Sequence, residues 1–317
     1  MEINQIKKIA VIGAGRMGCG IAQSWAQAGY NVSMVDLDEH ILSQCFSILK
    51  SNLNFLVENG MIKAQKSQSI LSLIRGTTKM EEALHDVDWV AESVPEVLDL
   101  KKDVFRRMDN FCPDHTILTT NTSTLSISDI AAVTARPDKV IGFHWVSPAH
   151  LVPLVEIIPN PKTSASTLAT AKEAALILGK KPMVCKEIPG FIVNRLQFAL
   201  LGEAISLLEQ GVASAEDIDN AGRVIFGLRT PFWGPLRNND IFGNKKTTLA
   251  AFEYLYKETK NEKFRPSDLL REKVNKGELG IISGKGWYDY ASESLDELAL
   301  KRDRNLIKMI KFMNELE

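Results

Sequence analysis

Over the first half of the chain, short β-branched apolar runs alternate with amphipathic stretches of helical period. The runs lie at residues 9–12, 32–36, 88–92, 117–120 and 140–144. This alternation predicts α/β architecture with a mostly parallel, doubly wound sheet. Residues 152–158 and 183–185 continue the strand pattern, and from Gly190 the chain turns helical, with apolar-periodic segments through Leu208 and Tyr256. The expected organisation is an α/β domain over 1–188, an all-helical domain over 189–293 and a terminal helix over 294–317. That last helix carries Leu295, Leu298, Leu306, Ile310, Met313 and Leu316 amid charges, a pattern suited to packing or subunit contact. Between Glu39 and Arg75 the connection is too long for one crossover helix, and Asn59-Gly60 divides it. A helix-turn-helix arm projecting from the sheet, over about 39–75, is the expectation.

The first βα connection carries the clearest chemistry. GAGRMG at 13–18 follows the first strand and opens a helix, the context in which a GxGxxG turn binds a dinucleotide. Gly13 permits the tight turn, Gly15 leaves the backbone open to a pyrophosphate, and Gly18 lets helix and strand approach; Arg16 and Met17 complete the loop. The second strand ends on Asp36, whose carboxylate suits the ribose hydroxyls of NAD and repels the extra phosphate of NADP. Leu37, Asp38 and Glu39 follow, so no cation is at hand to reverse that preference.

A second cluster lies downstream. His144 ends a strand and Glu156 interrupts the apolar run LVPLVEII, where a carboxylate is costly to bury without a partner. Paired with His144 it would orient the imidazole and stabilise its protonated form, the arrangement of a general base; a hydrogen-bonded core histidine and an edge-strand acid are the plainer alternative. Asn194 sits among Phe191, Phe198 and Leu201, where its amide either ties two domains together or binds a substrate oxygen. Ser123 follows the strand end at 117–120, at the edge where such sheets bind ligands, and would serve equally as a helix cap.

Composition narrows the partners. The 317 residues carry 38 Lys and Arg against 39 Asp and Glu, a net charge of -1, with no basic cluster for a nucleic acid. No apolar run approaches the roughly 20 residues that span a bilayer, and no targeting segment is visible. Cys19, Cys45, Cys112 and Cys185 have neither metal-ligand nor redox spacing, so no metal is expected. Four free thiols in a reducing cytoplasm are.

Together these residues resemble the L-3-hydroxyacyl-CoA dehydrogenase family over nearly the whole chain. The resemblance rests on GAGRMGCGIA at 13–22, ESVPEVLDLKKDVF at 92–105, TNTSTLSI at 120–127, GFHW with PLVEII over 142–158, PGFIVNRL at 189–196 and GKGWYDY at 284–290. It implies a Rossmann domain followed by a helical, dimer-forming domain. By the same resemblance His144 is the base, Glu156 its partner, and Ser123 and Asn194 bind the reacting hydroxyl and carbonyl. Glu96, Lys101 and Asn121 join the cofactor-binding set. The implied reaction converts a 3-hydroxyl to a 3-ketone with hydride transfer to NAD, on a 3-hydroxyacyl-CoA or related hydroxy acid.

Two departures bear on substrate. HWVSP at 144–148 replaces the HFFNP of acyl-CoA members, putting Ser147 where asparagine is usual. Gly227-Leu228-Arg229 before Gly234-Pro235 is similar to the branch containing lambda-crystallin, gulonate dehydrogenase and carnitine dehydrogenase. Arg229 there would either pair bidentately with a free carboxylate or serve as a structural guanidinium. A free-acid dehydrogenase, and a crystallin-like NAD-binding protein without catalysis, are the alternatives.

Overall fold

The computed structural model describes residues 2–316. One eight-stranded sheet is built from β1 (Lys8–Ile12), β2 (Asn31–Val35), β3 (Ile74–Thr77), β4 (Trp89–Glu92), β5 (Ile117–Thr120), β6 (Val140–Trp145), β7 (Leu154–Pro159) and β8 (Lys181–Val184). The order is β3-β2-β1-β4-β5-β6-β7-β8. Every pairing is parallel except β6 with β7, where His144 lies opposite Glu156. The helices are α1 (Arg16–Gln27), α2 (Glu39–Glu58), α3 (Ala64–Ser72), α4 (Met80–Leu84), α5 (Leu98–Phe111), α6 (Ile127–Ala131), α7 (Ala165–Ile177), α8 (Val193–Glu209), α9 (Ala215–Arg229), α10 (Pro235–Phe242), α11 (Lys245–Thr259), α12 (Asp268–Asn275) and α13 (Leu295–Leu316). Helices α1, α2, α3 and α7 contribute to the core on one face of the sheet; α4, α5 and α6 contribute to the core on the other. Strands β4, β5 and β6 are buried end to end, which is why they read as continuous apolar runs rather than alternating ones.

The helix pair at 39–72 is held along one buried stripe. Leu42, Cys45, Leu49, Leu53 and Leu56 recur at three- and four-residue spacing along α2, and all five are buried. That stripe docks the pair into the same core as α1; each fully buried leucine contributes about 1.5–3 kcal/mol. The segment then closes the sheet with β3, a strand the sequence reading does not separate from the arm. The packing also corrects the expectation of four free thiols. Cys19 on α1 and Cys45 on α2 are joined as a disulfide, their Cα atoms 5.6 Å apart, and only Cys112 and Cys185 are free. Compartment arguments carry no information about which helices pack face to face.

The chain divides into two compact units, Met1–Leu200 and Leu201–Glu317. The first compact unit takes in residues 189–200 together with the α/β segment. The reason is chemical: Phe191 is buried in the sheet's core and the amides of Ile192 and Val193 bond to Glu156. The helix expected from Gly190 begins only at Val193, because Gly190 and Phe191 turn the chain with φ of 76° and 48°. In the second unit a buried Asp240 accepts from the amides of Trp287 and Tyr288, the Tyr290 hydroxyl and Lys245.

Candidate active site

The carboxyl ends of the parallel strands gather most of the residues singled out in the sequence. At β1 the chain turns through Gly13 with φ 97°, a conformation open to glycine at little cost, and a Cβ there would lie 2.6 Å from the Ser93 carbonyl oxygen. A Cβ on Gly18 would overlap the Gly13 carbonyl, whereas one on Gly15 would meet nothing within 4 Å. Two glycines are thus required by the protein's own packing, and the third leaves clear space at the N-terminus of α1. Gly15 caps that helix without a side-chain hydrogen bond, so its first amides face the clear space. Arg16 is exposed and Met17 half-buried in the first turn. Asp36 directly follows β2 and is held by the amides of Ala14 at 2.7 Å and Leu37 at 2.8 Å. An anion-ready helix end beside a fixed carboxylate fits the pyrophosphate and ribose of NAD.

At the other end of the strand edge, His144 Nδ1 lies 2.7 Å from Glu156 Oε2. Glu156 is fully buried, and its other oxygen accepts from the amides of Ile192 at 2.9 Å and Val193 at 3.0 Å. Burial pushes this carboxyl upward, but the bonds from His144 and the two amides outweigh it and hold it below the usual carboxylate range. As an anion Glu156 only accepts, so Nδ1 carries a hydrogen, and in the neutral ring Nε2 then presents a lone pair. Among the described residues nothing bonds to Nε2, and the Phe191 ring stands 5.8 Å from the imidazole. Phe191 keeps a backbone conformation rare outside glycine, which costs of order 1–3 kcal/mol and aims the next two amides at Glu156.

The same turn delivers Asn194. Its Nδ2 donates to the backbone carbonyl of Ser123 at 3.0 Å, so the two candidate substrate residues are neighbours. Phe198, one of the neighbours that gave Asn194 its apolar face, is exposed. Ser123 does not cap α6; Ser126 does, accepting from the Asp129 amide. Ser123 is held instead by Glu96, whose Oε1 accepts from the Ser123 and Thr124 amides at 2.8 and 3.0 Å and the Thr122 hydroxyl at 2.6 Å. Asn121 accepts from the Trp145 amide at 2.8 Å, joining the Ser123 loop to the end of β6.

Lys101 lies beneath the surface, 1% exposed, bonded to Glu92 at 2.6 Å and to the Val94 carbonyl at 3.1 Å. Glu92, Thr120 and Thr122 escaped sequence reading, although Glu92 closes an apolar strand as conspicuously as Glu156 interrupts one. Arg229 belongs to the second unit, where its guanidinium stands 4.9 Å over the Phe242 ring. Among the described residues no carboxylate pairs with it there.

Comparison with known proteins agrees with this arrangement. The family described as 3-hydroxyacyl-CoA dehydrogenase, NAD binding domain, matches residues 8–188, and its C-terminal domain matches residues 190–290. A 3-hydroxybutyryl-CoA dehydrogenase of Clostridioides difficile is 40% identical over 284 residues, covering 89% of this chain and 99% of that one. The mitochondrial hydroxyacyl-coenzyme A dehydrogenase of Sus scrofa is 36% identical over 290 residues, 90% of this chain and 91% of that one. Among solved structures, a 3-hydroxyacyl-CoA dehydrogenase from Archaeoglobus fulgidus superposes with a TM-score of 0.80 at 34% identity, covering 97% of this chain and 99% of that one. The free-acid and non-catalytic readings are not favoured by these matches. With a dinucleotide turn at one end of the strand edge and a His–Glu pair at the other, the chain belongs to the 3-hydroxyacyl-CoA dehydrogenase family and is an NAD-dependent oxidoreductase acting on CH–OH groups.

Proposed function

We propose that the chain interconverts the 3-hydroxyl and 3-keto groups of a 3-hydroxyacyl-CoA thioester, with His144 as the general base. The observation that carries this reading is the Glu156 contact, which fixes one imidazole nitrogen as donor and leaves the other free to take a proton. In the oxidative direction Nε2 accepts the hydroxyl proton and the imidazolium is stabilised by the anionic carboxylate behind it. The Ser123 hydroxyl and the Asn194 amide hold the substrate oxygen, each anchored through the Ser123 backbone. Asn121, through the Trp145 amide, keeps that loop in register with His144. NAD, when bound, supplies the hydride acceptor; Gly13, Gly15, Arg16, Met17, Gly18, Asp36 and Glu96 would hold it. The thioester substrate draws support from the names of the relatives, Clostridioides difficile 3-hydroxybutyryl-CoA dehydrogenase among them.

Absorbance of NADH over paired thioesters and free hydroxy acids tests the assignment. Turnover of thioesters is expected, and turnover confined to free acids would overturn it. A homodimer is part of the proposal. Leu201, Ile205, Leu208, Val224, Ile225 and Phe226 are all exposed in the second unit, and α9 buries no residue at all. A second copy laid on that apolar surface would remove it from water. Phe226→Asp should leave a monomer in sedimentation, and an unchanged mass would exclude this surface. No helix among the described residues is long and apolar enough to cross a membrane; a cytoplasmic location is proposed from the need for NAD rather than from the cysteines.

A further inference from the structure

We infer that Glu187, on the segment between β8 and α8, is a positioning residue that sets Asn194 against Ser123. Two stretches of chain carry the candidate substrate residues, 123–128 and 187–194, and they are tied at two places. At one, the Asn194 side-chain amide donates to the Ser123 carbonyl at 3.0 Å. At the other, the Glu187 carboxylate accepts three hydrogen bonds from the start of α6: the Ser126 hydroxyl at 2.8 Å, the Ser128 amide at 3.0 Å and the Ser128 hydroxyl at 2.5 Å. Between these contacts the stretches line a cavity of about 880 Å³, with Thr124, Leu125 and Ser128 on one side and Cys185, Ile188 and Pro189 on the other. Direct packing between them is therefore incomplete, and the polar contacts set their spacing.

The start of α6 explains why an acid stands at 187. The first amides of a helix have no partner within it. Here the Ser126 oxygen accepts from the Asp129 amide while its hydroxyl donates to Glu187, which also accepts from the Ser128 amide. One carboxylate thus completes the cap of a helix whose capping residue lies three positions beyond Ser123. Downstream of Glu187 the chain is fixed to the sheet: Phe191 is buried, and the amides of Ile192 and Val193 bond to Glu156. Those bonds hold the turn to β7 and His144, but they do not address the Ser123 loop. Glu187 does, gripping the loop's far end while Glu96 holds the Ser123 amide itself. The inference rests on the proposed assignment of Ser123 and Asn194 to the substrate oxygen.

Removing the contact from each side in turn tests it. Glu187→Leu deletes the carboxylate, and Ser126→Ala with Ser128→Ala deletes its hydroxyl partners while leaving the carboxylate in place. Thioester kcat and KM are read by NADH absorbance, NAD affinity by calorimetry and folding by thermal unfolding. The inference expects kcat/KM to fall on the order of tenfold or more in either variant, as for substrate groups held slightly out of place. The NAD dissociation constant should not change. In an Asn194→Ala background neither change should lower kcat/KM further, as for residues acting through one contact. Glu187→Gln, whose amide oxygen still accepts from Ser126 and the Ser128 amide, should recover most of the loss. Wild-type kcat/KM in a folded Glu187→Leu beside an impaired Asn194→Ala would overturn the role of Glu187 alone. So would losses that add to those of Asn194→Ala, a parallel loss of NAD affinity, or no recovery in Glu187→Gln. An intact kcat/KM in the serine variant beside an impaired Glu187→Leu would also overturn it, by marking a direct contact between the carboxylate and a ligand. If Glu187→Leu does not fold, the paired serine substitution carries the same test. Wild-type turnover in Asn194→Ala would overturn the site assignment, and the inference with it.

Discussion

Two buried carboxylates on the same sheet, Glu156 on β7 and Glu92 on β4, begin from the same predicament and end in different chemistry. Each stands alone in an apolar strand, each is 0% exposed, and each recruits one basic side chain and at least one backbone amide. The difference is what remains free on the partner. His144 gives Glu156 one nitrogen and keeps the other, whereas Lys101 donates to Glu92 and the Val94 carbonyl and stands 3.4 Å from a Glu96 oxygen. The acids differ too: burial is the largest influence on both, and it is outweighed at Glu156, while at Glu92 it prevails over Lys101 and pushes the carboxyl up. A buried acid paired with an imidazole leaves a second ring nitrogen unbonded; the same acid paired with an ammonium is tied into the strand end and helix around it.

Substitutions that strip each acid of its partner, or of its charge, should separate these roles. The largest effect is expected from Lys101→Met alone, which leaves Glu92 buried without its cation and should cost about 3–5 kcal/mol in denaturant unfolding. A loss much smaller than that would mean Glu92 is already neutral and its contact with Lys101 is not ionic. Next, Glu156→Gln keeps the shape but no longer requires Nδ1 to carry the hydrogen; kcat should fall by roughly 10²-fold or more, because a histidine without its orienting acid loses the tautomer a base needs. NAD affinity in that variant should match the wild type, and a parallel loss of NAD binding would erase the distinction drawn between the two acids.

The smallest effect concerns a buried cation held by carbonyls, with no carboxylate partner among the described residues. Lys180, 5% exposed, donates to the carbonyls of Ala149 at 2.6 Å and Val152 at 2.8 Å in the loop that follows His144. Burial pushes it down to about 8 from an ordinary 10.5. Between those values the unfolded chain binds the proton and the folded one does not, so stability rises with pH across that window. Lys180→Met should flatten the rise, measured as the wild-type-minus-variant unfolding free energy from pH 8 to 10.5. An unchanged slope would show that this lysine stays charged when folded.

Much of this was legible in the sequence, for identifiable reasons. GAGRMG and Asp36 are local: turn, helix and acid lie within one βαβ unit, and their spacing carries the geometry. His144 and Glu156 were legible because an acid in an apolar strand demands a partner and the two strands are neighbours in sequence. Lys101 and Glu92 are close in sequence too, yet on a helix a lysine reads as a solvated charge until packing buries it. The Cys19–Cys45 contact, the docking of α2 and the bond from Asn194 to Ser123 depend on which surfaces meet, and residue spacing does not encode that. The stacking of the Arg229 guanidinium over the Phe242 ring is likewise a contact that residue spacing does not encode.

The central claim is that His144, oriented by Glu156, takes the proton. Its most direct test is the turnover of His144→Gln measured beside the calorimetric affinity of the same variant for NAD. The account predicts a fall in kcat of roughly 10²- to 10⁴-fold, the usual contribution of a positioned base, with NAD affinity unchanged. Turnover equal to the wild type would contradict it.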